Sequence, residues 1–139
     1  MRAWIMVWGV MAFAGAAFAQ NAQQDRIKSI QAEPAALKSA VDAGRKATFI
    51  CVNCHGEEGV SKIPAVPNLA GQNPAYLLEQ IRKFGSGERK DQFMQGLIKV
   101  LKDEERIQIA LFYSSASLKP SRADAAEAAR GKELFTKLC

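Results

Sequence analysis

Histidine occurs once in these 139 residues, as His55, so no site that needs two imidazoles can be built within the chain. Cysteine is scarce: there are 3, namely Cys51, Cys54 and Cys139. An odd count leaves one sulfur over from any internal pairing. One long apolar run exists, Ala3 to Phe18, and no other approaches the length of a membrane span. Alternating apolar and polar residues flanking a hairpin turn are missing, which argues against a β architecture. Paired carboxylates, a nucleophile triad and a phosphate-binding glycine loop are also missing, which removes the usual side-chain chemistries of hydrolysis and phosphoryl transfer. The charge is mild, 19 basic residues against 14 acids, and too dispersed for a nucleic-acid surface.

What is present begins with a targeting segment. Arg2 precedes the apolar run, and Ala17-Phe18-Ala19 forms an A-x-A cleavage site ahead of Gln20. This pattern predicts a secretory signal peptide over 1–19 and a mature, exported, periplasmic chain from Gln20. Without Arg2 the net charge is about +4, a surface suited to acidic partners. Cleavage removes Met1, Met6, Met11, Trp4 and Trp8, leaving Met94 as the sole methionine and no tryptophan.

Cys51-Val52-Asn53-Cys54-His55 reads C-x-x-C-H. That spacing attaches a c-type haem: each cysteine can add to a vinyl group, and the adjacent histidine can ligate the iron. The second axial position is then open, or filled by Met94, a cysteine or a lysine. A thioether there favours reduced iron and raises the potential. From spacing alone, Met94 is equally an ordinary core methionine on a helical stripe. Zinc is a rival reading, with Cys51, Cys54, Cys139 and His55 as four ligands, although adjacent Cys54 and His55 would have to converge on one ion. A thiol–disulfide exchange site is another, yet such motifs sit at strand-to-helix junctions and no strand is evident. A plain disulfide is the third.

The rest of the pattern is helical. Gln20 to Pro34 reads as a polar, flexible lead-in, and residues 20–40 as an N-terminal segment outside the core domain. A helix N-capped by Asp42 is expected to run into the motif and end near Cys54 to Gly56. Gly56 to Gln72, with Gly59, Pro64, Pro67 and Gly71, is a loop. Asn73 and Pro74 open a second helix whose Leu77, Leu78, Ile81 and Phe84 share one face, with Gly85 and Gly87 stopping it. Met94, Leu97, Ile98 and Leu101 make a third, with Met94 facing inward. A last helix, capped by Asp103, carries Ile107, Ala110, Leu111 and Ser114, widened by Ile109, Phe112 and Tyr113.

The core domain, 41–117, is thus all-α and small enough to gain from a covalently held apolar group. Residues 118–139 read as a linker and a helix. There, Gly131 to Cys139 echoes Gly44 to Cys51, with a basic residue, a phenylalanine and a cysteine following each glycine. Arg82, Lys83, Arg89, Lys90, Lys99 and Lys102 are solvated surface, or a ring that guides docking. Glu57 and Glu58 read as surface.

Taken together, CVNCHGEEG, PNLAGQ with YLLEQIRKF after it, GERKDQFM and LKDEE resemble the class I c-type cytochromes, and most closely the cytochrome c4 type, which carries two such domains in tandem. The resemblance implies helices packed around one haem c, held by Cys51 and Cys54. It implies His55 as the proximal ligand, oriented by the Pro67 carbonyl, and Met94 as the distal ligand. Asn68, Leu69, Gly71 and Tyr76 match positions that shape the haem crevice. Functionally it implies no enzyme but a respiratory electron carrier between a quinol-oxidising complex and a terminal oxidase, with peripheral membrane association. A cytochrome subunit of a membrane-bound dehydrogenase is the alternative. The tandem pattern also predicts that two arbitrary residues and then Cys-His follow Cys139.

Overall fold

The computed structural model describes residues 22–117 and 124–138. The signal peptide expected over 1–19, most of the linker and Cys139 lie outside them. Among the described residues every regular element is a helix, and no helix is long and apolar enough to cross a membrane.

The first described element is α1, residues 22–32. Here the structure departs from the flexible lead-in. Ile27 and Ile30 are three apart, share one face and are almost fully buried in the core. Polar residues fill the other positions, which hid the stripe at the sequence level. Arg26 also reaches Glu104 at 3.8 Å.

Helix α2 runs Pro34–Ala47, eight residues earlier than the start at Asp42. Pro34 occupies its first turn, where a missing N–H costs nothing. Asp42 is mid-helix, paired with Lys38 at 2.7 Å. The helix also stops before the motif: Thr48 caps it, its hydroxyl donating to the Arg45 carbonyl at 2.8 Å. The motif forms its own short helix, α3, Val52–His55.

Helix α4, Pro74–Ser86, is capped by Asn73, whose Oδ1 accepts from the N–H groups of Ala75 and Tyr76 at 2.9 and 3.2 Å. Gly85 lies inside it, and Gly87, at φ 81°, ends it in the left-handed conformation. Helix α5, Gln92–Lys99, starts at Asp91, which accepts the Met94 N–H at 2.9 Å. Helix α6 is Asp103–Ser115. Asp103 is its first residue rather than its cap; Glu105 accepts the Lys102 N–H at 2.8 Å instead. The last helix, α7, is Ala125–Leu138, with no buried residue.

The core is the crossing of α2 on α6, buttressed by α4 on α6 and α1. Gly44 sits at that crossing. A Cβ there would collide with the Gln108 carbonyl oxygen and lie 2.8 Å from Phe112 Cβ. Ile107, Ala110, Leu111, Phe112 and Tyr113 are all buried along α6, as its wide apolar face requires. Because α2 leads directly into the Cys51 turn, this crossing sets where the motif lies relative to α6.

Candidate functional site

After Thr48, which is fully buried, the chain makes one turn over Phe49 to Cys51 and enters α3. Val52 N–H donates to the Thr48 carbonyl at 3.1 Å, and His55 N–H to the Cys51 carbonyl at 2.9 Å. Cys51 and Cys54 are therefore one helical turn apart, on one side of the backbone. Both are half-buried free thiols. Gly56, at φ 82°, then turns the chain sharply away, a conformation glycine adopts without strain.

His55 is buried, and its Nδ1 lies 2.9 Å from the Pro67 carbonyl oxygen. A carbonyl only accepts, so Nδ1 carries the proton and donates. Nε2 is left with its lone pair, the form that binds a metal. The loop holding Pro67 is tied down in several places. The Gly59 carbonyl accepts from Leu69 and Ala70 N–H at 2.7 and 3.1 Å. The Ser61 hydroxyl donates to the Cys54 carbonyl at 2.8 Å, and Ser61 N–H to Asn68 Oδ1 at 2.8 Å. Gly71 N–H donates to the Tyr113 carbonyl at 2.9 Å.

Of the residues singled out in the sequence, the fold brings His55, Cys54, Pro67, Asn68, Leu69 and Gly71 into this one hydrogen-bonded unit. Leu69 also packs on the core. Tyr76, in the first turn of α4, is 51% exposed and makes no such bond. Met94 stands on the first turn of α5, half-buried. Thr48, Gly59, Ser61 and Tyr113 took no site role in the sequence reading. Ser61 and Thr48 carry no motif at all. Gly59 is visible only through its surroundings: a Cβ there would lie 2.7 Å from Tyr113 Cδ1.

Burial pushes the Cys51 thiol above its ordinary range. An exchange or oxidation site needs the opposite, a thiol depressed by nearby positive charge or a helix N-terminus. Burial likewise raises the Tyr113 phenol, with Cys51 adding to the effect. Its hydroxyl is enclosed, and a weak contact with Thr48 offsets only part of the effect. Among the described residues, no group of three His, Cys, Asp or Glu side chains gathers to hold a metal ion. That removes the support for zinc, whose fourth ligand, Cys139, falls outside them.

These residues fit a covalently bound haem by their donor chemistry. Cys51 and Cys54 stand one helical turn apart, and the imidazole beside them donates from Nδ1 to the Pro67 carbonyl, which leaves Nε2 to ligate. Ile50, Val60 and Ile63, which bracket the motif, are 39%, 43% and 44% exposed, so a large apolar group has apolar neighbours to cover.

No protein-family model matches the chain. The chain is 37% identical over 93 residues to cytochrome c4 of Pseudomonas aeruginosa, covering 67% of this chain and 46% of that one. It is 38% identical over 76 residues to cytochrome c-554(548) of Halomonas halodenitrificans, covering 52% of this chain and 92% of that one. The crystal structure of reduced cytochrome c4 from Pseudomonas stutzeri superposes with a TM-score of 0.58 at 35% identity, over 68% of this chain and 55% of that one. The helical fold and the C-x-x-C-H turn define a c-type cytochrome, and the chain belongs to the class I family of these proteins and is similar to cytochrome c4. Its cofactor is haem c, the covalently attached haem of that family. The chain spans about half the length of the cytochrome c4 relatives it matches.

Proposed function

We propose that this chain is the first haem domain of a periplasmic electron carrier that passes single electrons between respiratory redox proteins. The observation that carries the reading is the His55 Nδ1–Pro67 carbonyl contact at 2.9 Å beside two reduced cysteines. Haem c, when bound, supplies a one-electron Fe(III)/Fe(II) couple. The residues do the rest. Cys51 and Cys54 hold the group through thioethers, each made by adding S–H across a vinyl bond. The Pro67 carbonyl takes a hydrogen bond from His55, which orients the ring and raises the basicity of Nε2. Met94 would hold the iron through its thioether sulfur, which favours the reduced state. Asn68, Leu69 and Gly71 hold the Pro67 loop, and Tyr76 flanks the crevice. No side chain exchanges a proton or bond in the transfer itself, so the chain acts as a carrier and not as an enzyme.

The quinol-oxidising complex and the terminal oxidase are the partners we assign, met at the membrane face after export through the 1–19 signal. Helix α7 opens a second domain of the same kind. Its Leu134, Phe135 and Leu138 are 50%, 70% and 79% exposed, an apolar set that a second core would cover.

The experiment is export of the chain in a host that matures c-type cytochromes. Haem that survives denaturing electrophoresis, a ferric charge-transfer band from sulfur to iron, and loss of that band in Met94→Ala are expected. Absence of covalent haem overturns the proposal. An unchanged Met94→Ala spectrum overturns the axial assignment alone.

A further inference from the structure

Helix α5, which carries Met94, is anchored unevenly. Its backbone packs against α4. The end remote from Met94 is secured: Ile98 is buried, close to Gly85 of α4, and Arg106 of α6 donates to the Ile98 carbonyl at 3.2 Å. Phe93 is 64% exposed and Met94 itself only half-buried. The Met94 end follows directly on the connection from α4, residues 87–91.

That connection is clamped onto α4 twice. Arg82 donates to Glu79 through Nε and Nη2 at 2.8 and 2.9 Å, and to Glu88 through Nη1 and Nη2 at 2.6 and 2.9 Å. Ser86 Oγ donates to the same Glu88 carboxylate at 2.9 Å. One residue on, Arg89 lies over the Phe84 ring at 4.6 Å and donates to Gln80 Oε1 at 2.9 Å. Its backbone N–H donates to the Lys83 carbonyl at 3.0 Å. Asp91 then caps α5 by accepting the Met94 N–H. A planar guanidinium held bidentately by two carboxylates fixes orientation as well as distance.

We infer that Arg82, Glu88 and Arg89 are positioning residues for Met94, pinning the 87–91 connection so that α5 presents its first turn to the iron site. The inference rests on Met94 as the axial ligand. Loosening the clamp lets Met94 swing away more often, and an external ligand then competes better. Its apparent affinity rises with the fraction of molecules whose methionine is off.

The test uses the haem-loaded protein in its ferric state, with imidazole as the probe. Glu88→Gln and Arg89→Gln are expected to raise imidazole affinity about fivefold and to weaken the sulfur-to-iron band. Amide exchange at Met94 and Gln95 should quicken with them. Glu88→Asp, which keeps the charge, should return affinity to within about twofold of the unmutated protein. Lys38→Gln breaks an exposed ion pair on α2 and serves as the control, expected to leave imidazole binding unchanged. An intact band with unchanged imidazole affinity in both clamp variants overturns the inference and leaves the axial assignment standing. A missing band in the unmutated protein overturns both.

Discussion

Gly44→Ala separates two forces that point in opposite directions. Helix propensity alone favours alanine by about 1 kcal/mol in a helix interior. Packing opposes it. The added methyl would strike the Gln108 carbonyl oxygen and crowd Phe112 Cβ. One obstacle is backbone and the other the stem of a buried ring, so neither can rotate away. Relief requires α2 and α6 to part by roughly 1 Å, and a gap of that size forfeits a quarter to a half of the dispersion contact across it. Overpacking at such a site costs about 1–3 kcal/mol. With the loss of contact along Leu111 and Phe112, and after subtracting the propensity gain, the net destabilisation is about 2 kcal/mol. For a domain of this size that lowers the melting temperature by roughly 10 °C. Thermal unfolding of the haem-loaded protein reads it directly. Gly131 is the internal comparison, because a Cβ there meets nothing within 4 Å. Gly131→Ala should make α7 more helical by circular dichroism in this chain. In a longer protein with a complete second domain its sign should reverse. A Gly44→Ala protein as stable as its parent, or more so, would refute the close-crossing argument.

Ser61→Ala removes the hydroxyl that bonds the Cys54 carbonyl, and should cost about 1 kcal/mol in denaturant unfolding; a change within error would show that the loop holds without it. Glu88 is held down at about 2 by Arg82 first and Ser86 second. A depressed acid contributes stability above its unfolded value near 4.5 and loses it as pH falls toward 2. Part of the acid sensitivity between those values should disappear in Glu88→Gln and shrink with added salt; identical acid curves for parent and variant would count against the clamp. The Tyr113 phenol is pushed up by burial. The unfolded chain therefore ionises first as pH rises past 10, and alkaline stability falls. Tyr113→Phe, which removes the titrating group, should lessen that fall in an alkaline unfolding series; an unchanged alkaline curve would count against it.

Local signals were readable wherever one residue's own chemistry acts on its neighbours. Asn73 and Pro74 open α4 because a side-chain oxygen and a missing N–H suit any helix start. Met94, Ile98 and the α6 stripe followed their period. Cys51 to His55 announced a haem site through spacing alone. Boundaries that depend on distant partners were not readable. Polar α1 is helical because Ile27 and Ile30 are buried in the core. Helix α2 begins at Pro34 and breaks at Thr48, where a hydroxyl bonding back to Arg45 competes with helix continuation. Asp42, a plausible cap, lies eight residues past the start of α2, and Asp103 is the first residue of α6 rather than its cap.

The sequence by itself determined the attachment chemistry, since thiol spacing and one adjacent imidazole need only a single helical turn. Tertiary structure alone decided how that imidazole is held. The Pro67 carbonyl comes from twelve residues away, on a loop fastened to Cys54 by Ser61 and to Tyr113 by Gly71. The Pro67 and Gly71 contacts join residues with no periodic relation in the chain, so they exist only once the loop has packed on α3 and α6.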